Sequence, residues 1–138
     1  MQYIEAKITK LLVDFFGDDF RRIDHAQKVL FYSKEITAQK EGADLDVVIA
    51  CALLHDVGIK PAEIKFGYNN GRMQEEYGLA IAEELLRSID FPAELIVEVK
   101  EIIGNHHSPS RYDYVELEIF KEADAIVNKA DSPEVPLS

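Results

Sequence analysis

Eight consecutive apolar residues, Val47-Val48-Ile49-Ala50-Cys51-Ala52-Leu53-Leu54, run directly into the polar pair His55-Asp56. At helical spacing this run is apolar on all sides, and a helix of that kind must be surrounded by other elements. The rest of the chain supplies the surroundings in the same form. Its apolar period is helical almost throughout, and no segment of any length alternates with period two. The expected fold class is therefore all-α, a compact bundle of five to six helices.

The pattern predicts helices over about Ile4 to Phe16, Asp19 to Lys40, Asp44 to Val57, Met73 to Ser88, Pro92 to His106, and Tyr114 to Lys129. Asp19 or Asp18 is the expected cap of the second helix, with Gly42 as its stop, and Asp44 the expected cap of the third. Pro92 suits the first position of the fifth. In the fourth, Ala80, Ile81, Leu85 and Leu86 are expected to face inward. Gly58, Pro61, Gly67, Asn69-Asn70 and Gly71 mark a long loop from Gly58 to Gly71. The expectation is one domain over residues 1–130 and an extended tail over 131–138, where Pro133 and Pro136 fall.

Charge and cysteine content narrow the function classes. Fifteen basic against 26 acidic residues give a net charge of −11. Such a surface repels polyphosphate backbones, so no nucleic-acid polymer and no anionic membrane is expected as a partner. A small anionic substrate remains allowed if a metal or local basic residues capture it. The single cysteine, Cys51, excludes an intramolecular disulfide and zinc sites built on paired cysteines. No basic start followed by an apolar run is present, and no apolar stretch approaches a membrane span, so the default compartment is the cytoplasm.

Against this background the histidines are misplaced. His55 shares a helical face with Val48, Cys51 and Ala52, and Asp56 is turned by about 100° toward Ile49 and Ala52. His25 is in register with Val29, Tyr32 and Ile36. Asp124 lies beside Leu117, Phe120 and Val127, and His106-His107 close the stripe of Val99, Ile102 and Ile103. Each has an ordinary explanation. A histidine can cap a helix end or suit its dipole, and Asp124 can pair with Lys121 or Lys129. Jointly the explanations fail, because all four histidines of the chain and two carboxylates occupy such positions. Inward histidines and carboxylates from several helices are how a bundle builds a metal centre. Imidazole with carboxylate suits iron, manganese, cobalt, nickel or zinc.

A histidine, a His-Asp pair ending an apolar helix, and a late aspartate resemble the HD superfamily of metal-dependent phosphohydrolases. The run Ala52-Leu53-Leu54-His55-Asp56-Val57-Gly58 carries the resemblance, with His25 in Arg22-Ile23-Asp24-His25-Ala26 and Asp124 in Glu122-Ala123-Asp124-Ala125-Ile126. It spans roughly Phe20 to Val127. Gln74-Glu75-Glu76-Tyr77-Gly78 and Ile103-Gly104-Asn105-His106-His107 are similar to a small branch of the superfamily. The resemblance implies one firmly held divalent metal on His25, His55, Asp56 and Asp124, with His55 and Asp56 also catalytic. It implies room for a second, weaker metal or for substrate at Gln74, Glu75, His106 and His107. Two-metal members carry a histidine four residues before a helical glycine. Here Gln74 stands at that place, and Glu75 is a candidate substitute oxygen ligand. The Gly-Tyr-Pro motif of the two-metal signalling phosphodiesterases is absent after His106-His107.

The expected activity is hydrolysis of a phosphate ester, a nucleotide among the candidates, by metal-activated water. Arg21 and Arg22, one turn before His25, and Lys60, after the signature, are the expected phosphate contacts. Two rivals stand beside it: a di-iron oxygenase on the same helical core, against which the missing histidine at Gln74 counts, and a non-catalytic metal- or nucleotide-binding protein.

Overall fold

The structure, a computed structural model, describes residues 2–59, 64 and 71–131. The described residues form six helices: α1 (Gln2–Phe16), α2 (Phe20–Thr37), α3 (Leu45–Leu54), α4 (Gly71–Arg87), α5 (Ala93–Ile103) and α6 (Val115–Asp131). None of the described residues lies in a strand. Lys60, most of the loop from Gly58 to Gly71, and the tail after 131 lie outside the described residues.

The fully apolar run sits where its composition requires. Val47 through Leu54 are all buried in α3, and α1, α2, α5 and α6 pack around it. Truncating Leu53 or Leu54 to alanine would leave a cavity costing about 2–5 kcal/mol. Asp44 caps α3 as the sequence suggests, its side chain accepting from the amides of Asp46 at 3.0 Å and Val47 at 3.4 Å.

Helix ends and one helix face differ from expectation. α2 stops at Thr37, three residues early, and Ala38 to Lys40 continue only as tight turns. α3 stops at Leu54, so His55 and Asp56 lie in the turns beyond it, where Val57 and Ile59 donate three residues back. Pro92 caps α5 instead of opening it. On α4 the inward residues are Glu75, Gly78, Ala82 and Leu86. Ala80 is exposed, and Ile81 and Leu85 are half-buried. Small residues take the inner stripe because α4 lies close to the turn after α3. A Cβ added to Gly58 would come within 2.4 Å of the Gln74 carbonyl oxygen and 2.5 Å of the Gly78 nitrogen, so only glycine fits there.

Candidate metal centre

Four side chains from two helices and the turn after α3 converge at one end of the bundle. His25 projects from the second turn of α2, His55 and Asp56 from the turn that ends α3, and Asp124 from α6. His25 Nε2 and His55 Nε2 are 3.3 Å apart. Asp56 Oδ2 lies 3.6 Å from the first and 3.3 Å from the second. Asp124 Oδ1 lies 3.3 Å and 3.5 Å from the same two nitrogens. Atoms bound to one first-row divalent ion at about 2 Å are separated by about 3 Å, so the spacing of the two imidazoles with either carboxylate fits a shared ion.

Hydrogen bonding fits it as well. His55, 1% exposed, directs Nδ1 to the Ala52 carbonyl oxygen at 2.8 Å. In neutral imidazole this puts the proton on Nδ1 and leaves Nε2 a bare lone pair aimed into the cluster. His55 does bond to its own helix end, as the ordinary explanation has it, but through one ring nitrogen only. His106, 7% exposed, repeats the arrangement with Nδ1 to Ile103 O at 2.6 Å. Its Nε2 is buried without a partner, and Asp124 Oδ1 has no well-aligned hydrogen bond. Buried acceptors without donors are costly unless a cation joins them.

The charges tell the same story. Burial works against charge on His55, yet Asp56 and Asp124 outweigh it and push the imidazolium up to about 10. Burial likewise opposes the Asp56 carboxylate, and His55 with His25 overrides it, lowering Asp56 to about 2. Asp124 moves in the same direction, against burial, through His25 and His55. A proton on His55 thus stands where a metal cation would. His106 is pushed down to about 3, chiefly by burial and then by His55.

Among the described residues, two groups could hold a metal ion: His25, His55 and Asp56, and next to it Asp56, His106 and His107, with Asp56 in both. The His106 and His107 rings lie 3.9 Å apart, and Phe120 closes the apolar side, 4.8 Å from the His55 ring. The ordinary alternative for Asp124, a pairing with Lys121, is not made, since Lys121 donates to Ser108 O and Ser110 Oγ. Glu75 does not present itself as a ligand. Its carboxylate accepts from the His107 amide and the Ser108 hydroxyl.

A cleft of about 590 Å³ opens onto the cluster, lined by Arg21, Arg22, Asp24, His25, Lys28, Asp56 and Asn128 among others. Arg22 pairs with Asp19 at 3.2 Å and Lys28 with Asp24 at 3.1 Å. The sequence reading missed Lys28 and Asn128. Both were accessible by helical spacing, three residues after His25 and four after Asp124.

The HD-domain family model matches residues 22–129. The chain belongs to the HD-domain family. Its fold matches the crystal structure of a predicted HD superfamily hydrolase from an uncultured Thermotogales bacterium with a TM-score of 0.70. The two are 27% identical, and the match covers 89% of this chain and 67% of that one. Comparison with curated proteins finds no match.

Proposed function

We propose that the chain is a metal-dependent hydrolase of a small phosphate ester. The observation that carries the reading is the convergence of two imidazoles and two carboxylates, with the buried His106 Nε2 unpartnered beside them, next to a cleft holding Arg21, Arg22 and Lys28. His25, His55, Asp56 and Asp124 would hold a divalent iron, manganese, cobalt, nickel or zinc ion. When bound, such an ion supplies water of lowered pKa and polarises a phosphoryl oxygen. The buried Phe120 wall keeps bulk water from one side of the site. Arg21, Arg22 and Lys28 draw the phosphate in at short range, against a net charge of −11.

The partner is a small phosphorylated molecule, with nucleotides in the class and nucleic-acid polymers and membranes outside it. No helix of the described residues is long and apolar enough to cross a membrane. A second ion on Asp56, His106 and His107 is the second reading, favoured by the orphaned His106 Nε2.

The test is metal analysis of the purified protein, then phosphate release from a panel of esters with each of the five metals. Turnover is expected with at least one metal. Lys28→Ala or Arg22→Ala should raise the KM by about 10- to 150-fold, the value of one charge-assisted contact, at unchanged metal content. Absence of bound metal under all conditions would overturn the proposal. Iron with an oxygen-dependent spectral change and no phosphate release would replace it with oxygen chemistry.

A further inference from the structure

Glu75 carries its charge in an unfavourable place. It is 6% exposed on α4 and lies against the C-terminal turn of α5, where a helix presents carbonyl oxygens and the negative end of its dipole. A carboxylate buried there needs strong donors, and it has them. The His107 amide donates to Oε2 at 2.8 Å, and Ser108 Oγ lies 3.0 and 2.9 Å from the two carboxylate oxygens.

These donors belong to the turn that carries both imidazoles, and α5 holds that turn loosely. The Gly104 amide reaches Lys100 O at 2.8 Å, but the amides beyond it make three-residue bonds, Asn105 at 3.1 Å and His106 only at 3.5 Å. On the far side Asn105, fully buried, donates to Pro109 O at 3.0 Å and accepts from the Arg111 amide at 2.8 Å. On the near side the Glu75 carboxylate takes the role that a helix carbonyl would have for His107. Glu75 is itself fixed, because one turn further along α4 Gly78 packs backbone to backbone on Gly58, two residues after Asp56.

We propose that Glu75 is a positioning residue, a rigid strut that holds the His106–His107 turn at its distance from Asp56. The inference rests on the reading of Asp56, His106 and His107 as a second metal site. It gives Glu75 a role other than ligand, since donors engage both of its oxygens. Glutamine preserves the acceptor for the His107 amide and offers its NH2 to the Ser108 oxygen, whereas alanine removes the strut.

The experiment titrates cobalt(II) into the parent protein, Glu75→Gln and Glu75→Ala, following bound cobalt and visible absorption. Two phases are expected in the parent. Glu75→Ala should keep the first and weaken the second by about 10- to 100-fold, the usual loss when a group supporting a metal ligand is removed. Glu75→Gln should restore the parent spectrum and most of the affinity. An alanine variant that titrates like the parent would overturn the inference. So would a glutamine variant with a changed second-phase spectrum, because then the carboxylate is a ligand. Should the alanine variant lose the first phase through misfolding, Ser108→Ala replaces it, with a smaller weakening confined to the second phase expected and an unchanged second phase decisive against. A parent that binds a single cobalt ion sinks the second-site reading separately. The strut is then judged on zinc-loaded protein, where Glu75→Ala must shift the imidazole resonances of His106 and His107 and spare those of His25 and His55. Unshifted resonances refute it.

Discussion

The two ends of α3 both gather carboxylates, and among the described residues only one end has the makings of a metal centre. At the N-terminal end Asp44, Glu98, Glu101 and the buried Glu116 crowd together. Backbone amides answer them: Asp44 accepts from Asp46 and Val47, and Glu116 accepts from the Asp44 amide at 2.6 Å. The Tyr114 hydroxyl donates to Glu101. What repulsion is left is relieved by a proton, since burial and the adjacent Glu116 push Glu98 up to about 8. The positive end of the helix dipole favours the arrangement. At the other end Asp56 and Asp124 meet the negative end of the dipole, and what faces them is the imidazoles of His25 and His55. Acidity is common to both ends. The difference lies in what answers the carboxylates, backbone amides and a hydroxyl at one end and imidazoles with an exchangeable proton at the other.

The largest effect expected from this contrast comes from matched substitutions. Asp56→Ala should abolish metal binding and lower turnover by at least about 10³-fold, since it removes a group from both candidate ligand sets. Asp44→Ala should leave metal content and turnover intact and cost about 1 kcal/mol of stability, the value of a lost helix cap. Metal analysis, phosphate release and thermal melting of the two variants decide it. Metal loss in Asp44→Ala, or full metal in Asp56→Ala, would erase the distinction between the ends.

A smaller effect is expected from pH. In metal-free protein the folded pKa of His55, about 10, lies above its unfolded value of 6.5, so its contribution is complete below about pH 6.5 and fades as pH rises through 10. Asp56, lowered to about 2 from 3.8, contributes above about pH 4 and is lost as pH falls through 2. The metal-free cluster is therefore most favourable between about pH 4 and 6.5. A metal must displace the His55 proton, so its affinity should rise about tenfold per pH unit between pH 7 and 9. The melting-temperature gap between loaded and chelated protein should widen with pH over that range. A gap independent of pH would show that no proton leaves when metal enters.

The smallest effect belongs to the other end. Glu98 has its folded pKa raised, so the chain loses stability as pH climbs from about 4.5 through 8. Glu98→Gln removes that loss. Because Glu98 is only half-buried and solvent screens its charge, the gain should be only about 2 °C in melting temperature at pH 8, and none at pH 4.5. An equal gain at both values would mean that the shared proton is not the cause.

The α3 end of the fold was legible in the sequence because its signals are local. Eight apolar residues in a row specify a central helix, and a His-Asp pair at its end is anomalous without any partner in view. His25 and Asp124 became legible only together with that pair, since each alone reads as an ordinary core or surface residue. The inner face of α4 was misread for a physical reason. Hydrophobicity favours Ala80, Ile81 and Leu85, whereas close backbone packing on Gly58 selects Gly78 and Ala82, and a hydrogen-bonded carboxylate takes the remaining inward place. The role of Glu75 depends on partners 32 and 33 residues away, and no spacing rule reaches that far. Lys28 was overlooked although its spacing from His25 is local.

Cys51, the single cysteine of the chain, sits one helical turn before His55 with no exposed surface, and burial pushes its thiol well up. A thiol reagent attacks the thiolate, and here it finds one only in molecules whose central helix has come free of its neighbours. The protein thus contains a clock for its own opening. A ligand that binds the closed state alone slows that clock by the factor 1 + [L]/Kd. Labelling half-lives therefore rank metals and candidate substrates by affinity before any turnover has been seen.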